Sequence, residues 1–370
     1  MRRHGGTLQP TRHGQLPSYV CALAVVGCEA ARAESSEPAQ RRAEPMALPA
    51  AELFSAGRTP VLTGWEATPE RLDSDQCRTC HAATHEAWAG GTHAQAWRDP
   101  LFTRAFAREP RQWCKNCHAP LVVQHAGSVP LEQGINCAAC HVRGGEVLGP
   151  RARAASTGVH AVSASAGFAG PALCEGCHQF NFPTLLGESV EYSDLPMQNT
   201  LEEWRAARAP ACNECHTGGH ALRGPQDAAW LQRLVTRARW AEPAEGLLSL
   251  ELQLRPRGHS FPTGDLFHAF VLEVCREPGC ARPLVRKRYG RELGKGFVSA
   301  FLVSDRAVLR DTSLPAASPG LSITFDRPDA GRLFARLRFF RQDGVLDRVS
   351  SPEEESATTV WEMSYEPGGS

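Results

Sequence analysis

Five short segments carry the same chemistry-bearing residues: Cys77-Arg-Thr-Cys80-His81, Cys114-Lys-Asn-Cys117-His118, Cys137-Ala-Ala-Cys140-His141, Cys174-Glu-Gly-Cys177-His178 and Cys212-Asn-Glu-Cys215-His216. Two thiols three residues apart, followed at once by an imidazole, is the spacing for covalent attachment of haem c. The thiols add to the two vinyl groups of one porphyrin, and the next residue is held under the iron as its proximal ligand. Two other chemistries use paired cysteines. Structural zinc combines pairs into sets of four ligands, and five pairs do not divide that way. A redox dithiol has no need of a histidine after every pair. The spacing predicts five covalently attached haem c groups. Cys77, Cys80, Cys114, Cys117, Cys137, Cys140, Cys174, Cys177, Cys212 and Cys215 are the thioether donors, and His81, His118, His141, His178 and His216 the proximal ligands.

A six-coordinate haem needs a second axial ligand. Of the 14 histidines, His4 and His13 lie near the N-terminus and five are proximal, which leaves His85, His93, His125, His160, His220, His259 and His268. Methionine is scarce, and Met197 is the one within the haem-motif segment, so mostly bis-histidine ligation is expected, with comparatively low potentials. A helix over 75–89, opened by Ser74 or Asp75 and ended by Gly90-Gly91, would put His85 on the same face as His81. His85 would then serve a neighbouring haem or none. His93 follows the glycine pair, His220 follows two glycines, and His160 lies in a Gly/Ser/Ala-rich loop; all three can approach from other directions. His268 alternates with apolar residues in LFHAFVLEV and reads as a strand residue.

The elements that must position these groups fall into successive segments. Arg2, Arg3 and Arg12 precede a short apolar run, LPSYVCALAVVG, which reads as a secretory leader over residues 1–33. Val25-Val26-Gly27-Cys28 resembles a lipobox, which would make Cys28 a lipidated membrane tether; Ala31-Arg32-Ala33 fits plain cleavage. Residues 34–66 are rich in Ala, Glu, Pro, Arg and Ser and read as a flexible linker. All five motifs fall between Cys77 and His216, too little chain for a domain around each porphyrin. The porphyrins themselves must therefore be the core of the segment 67–225. Within it, Thr200-Leu-Glu-Glu203 reads as a capping box that opens a helix stopped by Pro210.

Residues 226–370 read differently. A helix-like stretch from Asp227 to Trp240 leads into alternating runs at 247–254, 267–274, 296–303, 321–325 and 332–340, the pattern of a β-sandwich-like domain. Cys275 and Cys280 flank Arg-Glu-Pro-Gly and would close a hairpin disulfide in an oxidising compartment. Arg282, Arg286, Lys287, Arg288, Arg291 and Lys295 read as a solvated basic face. The expected fold is thus mainly α: a haem-packed multihaem cytochrome domain with little regular structure, followed by the β-rich domain. With 40 basic and 40 acidic residues the formal net charge is zero, which argues against a nucleic-acid partner.

Residues 74–275 resemble the bacterial multihaem c-type cytochromes, in the grouping that includes the tetrahaem cytochromes of ammonia oxidisers and the hydroxylamine-oxidoreductase-like proteins. The resemblance is carried by CRTCHAATHEAWAGGTHAQAW, GINCAACHVRG, LCEGCHQFNFP, MQNTLEEWRAARAPACNECH and GHSFPTGD. It implies that His93, His160, His220 and His259 are distal ligands, with the fifth open between His85 and His125. It also implies a periplasmic or outer-membrane and cell-surface location, with redox proteins as donor and acceptor. The catalytic signatures of the grouping are missing. No motif has Lys in place of its histidine, as in the pentahaem nitrite reductases, and the crosslinked Tyr of hydroxylamine oxidoreductases has no counterpart. An electron carrier without catalytic residues is therefore the leading expectation. The alternative is a multihaem oxidoreductase with one open haem, acting on a small nitrogen or sulfur oxyanion.

Overall fold

The computed structural model describes residues 72–366, except 109, 144, 157–159, 187–188, 217–218, 256, 294–307, 330 and 342–356. The leader, the linker, Cys28 and the strand expected at 296–303 lie outside the described residues. The chain divides into two compact units, Met1–Arg42 and Ala43–Ser370, and all described residues belong to the second. The motif segment and the strand-rich segment thus lie in one unit. No helix among the described residues is long and apolar enough to cross a membrane.

The motif segment is built from short helices: α1 (Ser74–Arg78), α2 (Ala82–Ala89), α3 (Pro100–Arg108), α4 (Gln112–His118), α5 (Val122–His125), α6 (Cys137–His141), α7 (Ala172–His178), α8 (Thr200–Ala207) and α9 (Cys212–Cys215). Between them run β1 (Val142–Arg143), β2 (Glu146–Gly149) and β3 (Ser163–Ala164), which form one small sheet, and a hairpin of β4 (Gln179–Leu186) and β5 (Ser189–Asn199). The helix expected over 75–89 is broken between Arg78 and Ala82, because His81 leaves helical geometry at φ −113°. Its amide still closes one turn on the Cys77 carbonyl at 2.9 Å.

After α10 (Ala228–Leu231), two sheets pack together. One joins β6 (Val235–Ala241), β7 (Leu247–Leu254) and β11 (Gly320–Asp326). The other orders β10 (Val308–Asp311), β9 (Pro283–Leu293), β8 (Ala269–Cys275), β12 (Leu333–Phe340) and β13 (Ala357–Tyr365). Alternate residues face a shared core: Leu248, Leu250 and Leu252 with Leu321 and Ile323 from one sheet, and Phe270, Leu272, Val274, Leu337 and Phe339 from the other. This is the period-two pattern of a strand with one buried face. The helix expected from Asp227 stops at Leu231, and the chain enters β6 instead, pairing Trp240 with Leu250. Cys275 and Cys280 form the hairpin disulfide.

The expectation of a mainly α fold is corrected: the described residues are about 29% helix and 34% strand, in several separate sheets. Each CxxCH motif needs only one helical turn, so five motifs add little helix. Strands fill the intervals within the motif segment as well as the region after it.

Candidate haem-binding site

The first and fourth residues of each CxxC lie one helical turn apart, so both thiols project from one side. In three of the motifs the following histidine is oriented by a hydrogen bond at its Nδ1. His118 Nδ1 bonds the Ala96 carbonyl at 2.7 Å, His141 Nδ1 the Leu148 carbonyl at 2.8 Å, and His216 Nδ1 the Arg223 carbonyl at 2.7 Å. A carbonyl accepts, so Nδ1 carries the proton and Nε2 keeps its lone pair for a metal. Aromatic rings brace the same three imidazoles: Phe102 stacks on His118 with centroids 3.6 Å apart, Phe168 on His141 at 5.0 Å, and Trp230 on His216 at 5.7 Å. None of these carbonyls or rings is signalled by the motif itself.

Four of the five proximal histidines face a second histidine. Ring centroids are 6.2 Å apart for His81 and His160, 6.4 Å for His93 and His178, 5.9 Å for His141 and His220, and 6.2 Å for His216 and His259. One iron bonded at about 2 Å to a nitrogen of each ring separates the ring centres by roughly 6 Å. The pairs therefore fit a haem iron between them. His160 and His259 also spend Nδ1 on carbonyls, of Ala161 at 3.0 Å and Ser260 at 2.9 Å. Burial holds His93 and His259 down to about 4, so both rings are neutral and ready to ligate at ordinary pH. His178 presents open ring surface, yet burial also lowers its pKa, as expected for a ring that lines an internal hollow.

The remaining histidines sit elsewhere. His85 packs edge-on to Trp88, with Nε2 3.6 Å from Asp75. His125 directs Nε2, not Nδ1, to the Ala119 carbonyl at 2.9 Å. His268 bonds the Thr263 carbonyl through Nδ1 and lies edge-on to Phe339. Neither His85 nor His125 faces His118, and among the described residues no second histidine does. Phe102 covers a face of the His118 ring; a metal bonds in the ring plane along Nε2, so that direction is not the one Phe102 covers. Met197 packs against Phe182, Leu266 and Phe267.

Close backbone approaches position His93 and His220, two of the facing histidines. A Cβ on Gly91 would stand 2.5 Å from the Ala221 carbonyl, and one on Gly134 would stand 2.5 Å from the His93 carbonyl. Gly91 thus lets the segment carrying His93 lie against the one carrying His220, and Gly134 lets the chain before the third motif lie against the His93 carbonyl. Among the described residues no group of three or more His, Cys, Asp or Glu converges as a metal-ligand cluster; the histidines come in facing pairs.

Thiols of different motifs are neighbours. Cys77 lies beside Cys137, Cys117 beside Cys177, and Cys174 beside Cys212, each close enough to act on the other's ionisation. Cys140 lies within electrostatic range of Cys177.

No protein-family model matches the chain, and no curated protein matches it either. Among solved structures, the chain shares its fold with a penta-haem cytochrome c552 from Thermochromatium tepidum. The TM-score is 0.61 at 16% identity, over 80% of this chain and 99% of that one.

Proposed function

We propose that this chain is an exported penta-haem c-type cytochrome that carries electrons between redox proteins. The observation that carries the reading is the set of four facing histidine pairs, each opened to the width of one iron, each with one member in a CxxCH motif. Haem supplies reversible one-electron chemistry. The chain supplies attachment, orientation and closure. Ten thiols anchor the porphyrins, backbone carbonyls set the histidine tautomers, and His160, His93, His220 and His259 close the sixth positions at the first, fourth, third and fifth sites. The thiol contacts suggest an order of sites. The first lies beside the third through Cys77 and Cys137, the third beside the fourth through Cys140 and Cys177, and the fourth beside the fifth through Cys174 and Cys212. The second joins the fourth through Cys117 and Cys177, as a branch. Export follows from the N-terminal leader, and a lipid tether at Cys28 is part of the same proposal.

A second reading is favoured by His118, which has no histidine opposite among the described residues. The branch site then admits an exogenous ligand, as an oxidoreductase acting on a small nitrogen or sulfur oxyanion requires. One experiment separates the readings. The haem-loaded chain, with five haems confirmed as the pyridine haemochrome, is reduced with dithionite and titrated with carbon monoxide. One molecule bound per chain supports four closed sites and an open branch. None bound leaves only the carrier, and four or five bound overturns the paired-histidine arrangement.

A further inference from the structure

Glu203 is expected from sequence to complete a capping box at the start of α8, but its carboxylate is engaged elsewhere. Oε2 accepts hydrogen bonds from the Ser260 amide at 3.1 Å and the Thr263 hydroxyl at 2.6 Å. The Thr200 hydroxyl, on the first turn of the same helix, meets the Thr263 hydroxyl at 2.9 Å. At the other end of α8 a Cβ on Gly258 would stand 3.1 Å from the Ala209 Cβ. These contacts bracket His259 on both sides, at residues 258, 260 and 263. The same helix turns off through Arg208, at φ 51°, and Pro210 into Cys212, so it also places His216. Both members of the fifth histidine pair are thus keyed to one helix.

We propose that Glu203 is a positioning residue for the fifth haem: its carboxylate grips the Ser260–Thr263 loop and thereby holds His259 opposite His216. The proposal rests on His216 and His259 as the axial pair of that haem. The carboxylate does not touch the iron; it acts through the loop. Oε2 is held by two donors, and Arg291 and Asp311 act on the carboxylate electrostatically from the neighbouring strands. One carboxylate oxygen accepts from both an amide and a hydroxyl, and an apolar replacement offers no acceptor for either.

The test uses the full haem-loaded chain in four variants: His259→Ala, Glu203→Leu, Glu203→Gln and Thr263→Val. Each is checked for five haems by pyridine haemochrome, then reduced and mixed with carbon monoxide in a stopped-flow spectrometer. His259→Ala is expected to bind one more molecule per chain than the unaltered protein. Glu203→Leu is expected to gain the same binding step. Glu203→Gln, which keeps an acceptor oxygen, restores the unaltered stoichiometry. Thr263→Val removes one hydrogen bond to the carboxylate and should speed carbon monoxide entry at the fifth haem about tenfold over the slow entry in the unaltered chain, the effect of roughly one charge-assisted hydrogen bond. Because Thr263→Val leaves the carboxylate in place, it decides the matter if Glu203→Leu loses haem or fails to fold. If His259→Ala binds no additional ligand, the His216–His259 pairing itself fails. If His259→Ala gains the ligand while Glu203→Leu or Thr263→Val matches the unaltered chain, or Glu203→Gln behaves as Glu203→Leu, the positioning role is overturned.

Discussion

A histidine becomes an iron ligand through its neighbours as much as through its own ring. In this chain the recurring device is a backbone carbonyl at Nδ1, which leaves Nε2 unprotonated, at His118 as at the paired His141, His216 and His259. His125 shows the reverse, with Nε2 engaged by Ala119. The same logic of partners applies to Glu203, whose pKa is raised from 4.5, chiefly by burial. An acid with a raised folded-state pKa binds protons more tightly folded than unfolded, so the stability it contributes is greatest below pH 4.5. That contribution is lost as pH rises from there through the folded-state value. Glu203→Gln should therefore remove a downward slope in melting temperature between pH 4.5 and neutrality; thermal melts across that range check it. The motif histidines and the candidate distal set could be named from residue types alone. The partner carbonyls of Ala96, Leu148 and Arg223 could not, because a backbone oxygen has no sequence signature.

At the level of elements, the β8–β9 hairpin and the two-sheet core hold the strand-rich part together. The Cys275–Cys280 disulfide closes a short loop, with a sequence separation of 5. Loop-closure entropy for so short a ring is about 2 kcal/mol, so Cys275→Ala with Cys280→Ala should lower stability by about that amount in urea unfolding. Phe339 is 1% exposed and stacks near Phe270 at 4.8 Å, between the sheets. Phe339→Ala should cost about 3–5 kcal/mol by the same measurement. The alternating runs at 247–254, 321–325 and 332–340 were readable because one face of each is buried. The run after Asp227 was not: it begins with a true cap, Asp227 accepting from the Trp230 amide, and only pairing with β7 pulls its second half into a strand. Local propensity yields to a neighbouring strand when that strand offers both backbone partners and a core. The capping box at Thr200 fails for a similar reason, since the Ser260 and Thr263 donors claim the Glu203 carboxylate.

At the scale of the whole molecule, protein core is distributed unevenly. The two-sheet core contains seventeen buried residues, whereas the cluster among α5 and α6 contains Leu121, Ala138 and Ala139. A segment with so little apolar core of its own fits the proposed role of porphyrins in burying its surface. Chain produced without haem attachment should therefore be cleaved by protease within 72–225, while residues 226–370 persist, and limited proteolysis followed by mass spectrometry checks this. Arg341 pairs with Asp99 and Arg291 donates to the Met197 carbonyl, so the strands also grip the motif segment directly. The sequence by itself pointed to covalent haem attachment, because CxxCH is a local motif whose geometry closes within one helical turn. It also narrowed the distal ligands to a few histidines. Only the tertiary structure decided which imidazole faces which, that His118 faces none among the described residues, and that the fold is not mainly α. Those are outcomes of chain segments far apart in sequence meeting in space, through glycine contacts, carbonyl partners and strand pairing that no local pattern records.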